Sequence, residues 1–192
     1  MMRKIERENT GLLQAGQDLV VAGYAGLAGT VKLAEAAKEE LSRWFSDEYM
    51  EEIADAAPLC PVSPEFWRSC GAAEWEPAGE GGILTAIWNL TGAYETGVEF
   101  YLRQIPMRQE TVEVCERLEL NPYRLYSRGC VLLTADNGGQ IVRILAEKHI
   151  PAQVIGRVNK GIAREMIVQE GRGFLERPQP DEITKVIPGF FK

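Results

Sequence analysis

Histidine is nearly absent from this chain, with one residue, His149, in 192. A Ser-His-Asp relay has nothing to be built on, because that histidine closes a helical run ahead of Ile150-Pro151, where a surface or C-terminal capping role is expected. Cysteine is also scarce. Cys60, Cys70, Cys115 and Cys130 are too far apart in sequence for a zinc knuckle, so reduced thiols are expected. Cys115 lies on the apolar side of a helical pattern and reads as a small core residue. Cys130 follows Ser127-Arg128-Gly129 and reads either as a buried structural thiol or as a nucleophile lowered by the arginine. No apolar run approaches the ~20 residues that cross a bilayer. Even Leu84 to Tyr94 is broken by Asn89 and Gly92. The opening MMRKIERENT mixes both charges with no greasy core, which excludes the usual secretory signal and predicts a cytoplasmic protein. Basic charge is in deficit, 21 residues against 28 acidic for a net of -7, and no Lys/Arg cluster offsets it. Neither nucleic acid nor a membrane is therefore an expected partner. A dense aspartate cluster that would hold paired magnesium ions is missing as well.

What is present is enough for one core. With 45% apolar and 26% charged residues, and neither repeat nor linker, the chain reads as a single domain. Leu19 to Ala22 predicts a buried strand, and Gly23 to Gly29 a glycine-rich bend. Leu27, Val31, Ala34, Leu41 and Phe45 share one face of the helix that follows. Residues 47 to 57 form a second helical stretch with Asp47 as N-cap and Pro58 as stop, and Ser63-Pro64-Glu65 begins a third. An extended piece from Ala73 to Glu76 leads into a helix striped by Ile83, Ile87, Leu90 and Tyr94. Strands are expected at Val98 to Leu102 and Cys130 to Ala135, and helices at Gln109 to Leu118 and Gln140 to Lys148. Ala152 to Val158 and Ile162 to Val168 read as a hairpin turning at Asn159-Lys160-Gly161. An antiparallel closing pair on an alternating chain makes the sheet mixed and the class α+β.

Two glycine-rich segments can carry chemistry. Pro77-Ala78-Gly79-Glu80-Gly81-Gly82 feeds a helix N-terminus, where backbone N–H groups and the helix dipole suit a phosphate. Glu80 opposes a bare phosphate unless a cation or an arginine intervenes. The same glycines also suit a tight strand-to-helix turn that binds nothing. There is no Walker lysine, and the dinucleotide fingerprint does not fit. The bend at Gly23 to Thr30 offers further donors at Gly29 and the Thr30 hydroxyl, or simply close strand-helix packing.

From about residue 16 onward the chain resembles the C-terminal domain of the aminoimidazole ribonucleotide synthetase (AIR synthase) superfamily, nearest its hydrogenase-maturation-factor-like branch. The resemblance rests on GQDLVVAGYAGLAGTVKLA at 16–34, GEGGILTAIWNL at 79–90, the segment from Gly97 to Gly129, VLLTADNGG at 131–139, IPAQVIGRV at 150–158 and FLERPQPDEITKV at 174–186. It implies a three-layer α/β/α domain around a mixed sheet, with partial likeness to ferredoxin-like folds. The implied division is an extension at 1–15, the domain at 16–187 and a tail at 188–192. The implied ligand or phosphate contacts are Gly79, Glu80, Gly81 and Gly82, with Gly29 and Thr30, and with Ser127 and Gly129 from a Ser-x-Gly segment. Three positions depart from the family pattern: Ala28 replaces an acid, Gly79 a common threonine and Cys130 a hydroxyl residue.

Family members are typically two-domain enzymes that use ATP to activate a substrate oxygen. A separate N-terminal domain supplies most ATP and magnesium contacts, and this chain lacks its acidic segment. The resemblance therefore implies no metal site and no cofactor for the isolated chain, with ATP and magnesium entering only with a partner domain. The ending Pro188-Gly189-Phe190-Phe191-Lys192 has no acceptor cysteine, which disfavours cyanide-ligand synthesis. Selenophosphate synthesis is disfavoured too, since its reactive residue belongs to the other domain. The leading expectation is a stand-alone binding or assembly domain, partnered by copies of itself or by a separate ATP-binding subunit. The alternative is the C-terminal subunit of a split enzyme.

Overall fold

Short apolar runs that are too brief for helices become the middle of one sheet. The structure, a computed structural model, describes residues 12–57, 60 and 63–192. Its strands are β1 (Asp18–Ala22), β2 (Glu74–Pro77), β3 (Gly97–Tyr101), β4 (Val131–Ala135), β5 (Ala152–Asn159), β6 (Arg164–Val168) and β7 (Gly171–Phe174). They lie in the order β2-β4-β1-β5-β3-β6-β7. Every neighbouring pair is antiparallel except β3 with β6, so the sheet is mixed and the class is α+β.

The helices are α1 (Leu27–Ala36), α2 (Lys38–Leu41), α3 (Asp47–Ala54), α4 (Pro64–Ser69), α5 (Gly82–Ala93), α6 (Gln109–Arg117) and α7 (Gly138–Glu147). Because side chains alternate along a strand, Leu19 and Val21 of β1 face one side and Val20 and Ala22 the other. The first pair packs with Leu132, Phe100 and the Ile83-Ile87-Leu90 stripe of α5. The second packs with Leu133, with Ile141 and Leu145 of α7, and with Trp67 of α4. Covered on both faces, β4 is buried from end to end, which is why VLLTA shows no apolar-polar alternation. A third cluster joins Leu33, Leu41, Ile53, Val114 and Leu125 to Ile183 of the C-terminal segment.

Several local expectations need correction. The strands at 152–158 and 162–168 do not form a hairpin, because β3 lies between them, antiparallel to β5 and parallel to β6. The turn steps over the start of β3, where Thr96 Oγ1 holds the Asn159 carbonyl and the Val98 amide holds that of Ala163. The amphipathic helix from Leu27 to Phe45 is broken at Ala37, whose φ of -107° leaves the helical region. Its N–H still bonds the Leu33 carbonyl, so Leu41 stays buried across the break. Ser46, and not Asp47, caps α3 by accepting the Tyr49 amide, and Pro58 lies outside the described residues. Strand β7 had no counterpart in the sequence reading, since Gly-Arg-Gly-Phe carries no apolar alternation.

Gly156 of β5 lies against β3 so closely that a Cβ would drive into the Glu99 carbonyl and stand 2.6 Å from Phe100 Cα. Gly156→Ala should lower the unfolding free energy by about 1–3 kcal/mol in urea titrations, the usual cost of overpacking.

Candidate functional site

Strand direction decides which loops meet. Ala22 at the end of β1 pairs with Val131 at the start of β4 and with Ala152 at the start of β5, while Val131 also pairs with Pro77 at the end of β2. The segments after β1, after β2 and before β4 therefore gather at one end of the sheet, and they are tied through Ser127. Its N–H donates to the Gly79 carbonyl at 3.1 Å. Its hydroxyl accepts the Gly26 N–H at 2.8 Å and donates to the Leu125 carbonyl at 2.7 Å. Gly29 N–H bonds the Tyr126 carbonyl at 2.9 Å. The Thr30 hydroxyl is bonded to the Gly26 carbonyl and to the Thr111 hydroxyl, each at 2.9 Å. Thr30 and Ser127 are thus fully buried with their hydroxyls committed to the protein. Glu80 is exposed, and Gly79 and Gly129 are half-buried.

Gly81 and Gly82 enter α5 with φ of 77° and 67°, and a Cβ on Gly82 would sit 2.5 Å from the Tyr123 carbonyl and 2.8 Å from that of Leu125. Only glycine meets both demands. The residue at the helix cap therefore has no side chain to accept the first amides. Asp181 supplies the acceptor from 100 positions further along the chain: Gly81 N–H donates to its Oδ2 at 2.6 Å. Its Oδ1 takes the amides of Tyr126 at 3.1 Å and Ile183 at 2.9 Å. Next to it, the buried Glu182 accepts the Asn121 amide at 3.1 Å and pairs with Lys185 at 2.7 Å. The anion position at the start of α5 is filled by the protein's own carboxylate. Burial raises the Asp181 pKa, with a smaller push from Glu80, against the lowering effect of the three amides.

Asp181 escaped the sequence reading. Pro180-Asp181 before a helical turn signals a local cap, which it does provide for Ile183, but nothing local points to Gly81. Thr85, one turn into α5, buries an unbonded hydroxyl oxygen. An open groove of about 860 Å³ lies at the same sheet end, lined by Tyr24, Arg103, Met107, His149, Pro151 and Gln153, and the glycine loop is not part of it. His149 adopts φ of 58° just past α7, in the position that ends a helix. All four cysteines are buried and free. Desolvation pushes Cys60 and Cys115 to about 12 and Cys130 higher still, so Cys130 is a structural thiol. Among the described residues no group of three or more His, Cys, Asp or Glu side chains could hold a metal ion.

A mixed seven-stranded sheet between helical layers, with a glycine loop opening a helix at one end, defines an AIR-synthase-type α/β/α domain. Residues 14–169 match the family "AIR synthase related protein, C-terminal domain", and the chain belongs to that family. It is similar to a Methanocaldococcus jannaschii protein named as a hydrogenase expression/formation protein, at 24% identity over 182 residues, covering 91% of this chain and 52% of the relative. Among solved structures, E. coli HypE superposes with a TM-score of 0.69 at 21% identity, covering 89% of this chain and 54% of HypE. The thiamine-monophosphate kinase of Stenotrophomonas maltophilia superposes with a TM-score of 0.61 at 16% identity, covering 80% of this chain and 50% of the kinase. The chain thus spans about half the length of these relatives. At these identities the two structures show a shared fold.

Asp181→Ala leaves three amides without their acceptor and should cost about 2–3 kcal/mol in chemical denaturation. A raised carboxyl pKa binds the folded state's proton more tightly, so the stability linked to Asp181 falls as pH rises through its titration. Asp181→Asn should therefore remove a downward slope with pH, seen as the difference from wild type just above the ordinary aspartate range. The thiols should resist Ellman's reagent in the native protein and all four should react once it is unfolded.

Proposed function

We propose that this chain is a binding and assembly domain of the AIR synthase type, without ATP-dependent catalysis of its own. ATP and magnesium would be handled together with a partner module that brings the acidic metal ligands. The observation that carries this reading is the Asp181 carboxylate bonded to Gly81 N–H. A triphosphate approaching the start of α5 meets the exposed Glu80 and a Gly81 amide already taken by that buried acid. A small anion or polar ligand near Gly79, Gly129 and the adjoining loops remains compatible with the same geometry. The second reading, a C-terminal subunit of a split ATP-dependent enzyme, is favoured by the coverage of about half of a maturation-protein relative and a kinase.

Isothermal titration with magnesium-ATP, ADP and inorganic phosphate separates these readings from self-sufficient catalysis. Nucleotide affinity weaker than about 1 mM and no phosphate release are expected of the chain alone. Sub-micromolar ATP binding with turnover would defeat the proposal. Turnover that appears only on adding an acid-rich ATP-binding polypeptide, with which the chain co-purifies, would select the split enzyme.

A further inference from the structure

Two proline-containing segments, 103–107 after β3 and 149–153 leading from α7 into β5, face each other across the open groove at the end of the sheet. The bend after β1 staples them together. Gly23 N–H donates to the Pro151 carbonyl at 2.8 Å and Ala25 N–H to the Pro106 carbonyl at 2.9 Å, which fixes Tyr24 between the two walls. Ile105 and Ile150 are buried beneath, each in a different one of the two cores that flank the sheet, so the floor belongs to the packed interior. The groove is therefore held in shape by the fold itself. At about 860 Å³ it is of the size that takes a small molecule.

The chain carries 28 acidic residues, yet none of them lines this groove. Its polar lining is Tyr24, Arg103, Gln104, His149 and Gln153, and among the described residues no hydrogen bond or ion pair engages any of these side chains. We propose that the groove binds a ring compound bearing a carboxylate or a phosphate. The Arg103 guanidinium receives the acidic group, because its planar fork of donors matches either one. Pro106, Met107, Val142 and Pro151 give the ring apolar walls, while the Tyr24 hydroxyl, the His149 imidazole and the two glutamine amides supply hydrogen bonds around it. A cation finds no partner in such a lining. A bare inorganic anion leaves the apolar walls wet. The glycine loop takes no part in the groove, so this inference does not rest on the reading of the start of α5.

Titration of the whole chain with benzoate, phenyl phosphate, benzyl alcohol and inorganic phosphate, followed in two-dimensional amide NMR spectra, tests the proposal. Benzoate or phenyl phosphate should saturate with a Kd of about 1 mM and shift the amides of Tyr24, Gln104 and Gln153, and the tighter of the two names the acidic group. Benzyl alcohol and inorganic phosphate should each bind at least about 10-fold more weakly, since each lacks half of what the groove recognises. Arg103→Gln, at an exposed position, should weaken the favoured probe about 10-fold while the spectrum away from the groove stays as in wild type. Lys160→Gln, which removes the same charge beyond the far end of β5, should leave the affinity unchanged. No saturation by any probe up to about 10 mM, equal affinity for benzyl alcohol, shifts centred elsewhere, or indifference to Arg103→Gln would overturn the proposal. No nucleotide enters these measurements, so their failure and that of the magnesium-ATP test are told apart.

Discussion

The Asp181 carboxylate ties three stretches of chain together: the glycine loop, the segment before Ser127 and the C-terminal turn. Two left-handed glycines let the backbone turn into α5 beneath the Tyr123 and Leu125 carbonyls, and the same glycines leave the helix without a side-chain cap. Buried amides at a helix start need an acceptor, and a negative one is favoured by the helix dipole. Asp181 meets both needs and also takes the Tyr126 amide, so the 3-10 turn at Glu182–Lys185 is fastened to the glycine loop and to the segment before Ser127. Loop and C-terminal segment therefore behave as one unit. Whatever alters one must reckon with the other.

That arrangement bears on how the domain takes part in chemistry. A helix N-terminus already answered by an internal carboxylate has less unbalanced positive charge to offer a second anion. The chain spans about half of relatives that include a kinase, and at this site Asp181 is spent on capping α5 while Glu182 pairs with Lys185.

Much of this was legible along the chain. The Ile83-Ile87-Leu90 stripe became the inner face of α5, the uniformly apolar run at 131–135 became a doubly covered strand, and the glycine segments came to one end of the sheet. These are local signals, set by periodicity and by what a glycine permits. The closing hairpin misled because two strands joined by a short turn look like neighbours, and no local feature of Asn159–Gly161 tells that β3 occupies the space between them. Similarly, an aspartate before a turn reads as a cap for that turn alone.

The sequence by itself determined the class of fold, the family and the places where the backbone bends, because side-chain alternation, helical stripes and glycine conformations are short-range properties. Only the tertiary structure decided the strand order, the burial of Thr30 and Ser127, and the partner of the Gly81 amide. Those depend on contacts between residues far apart in the chain, and such contacts are chosen by the collective cost of leaving polar groups unpaired in the interior.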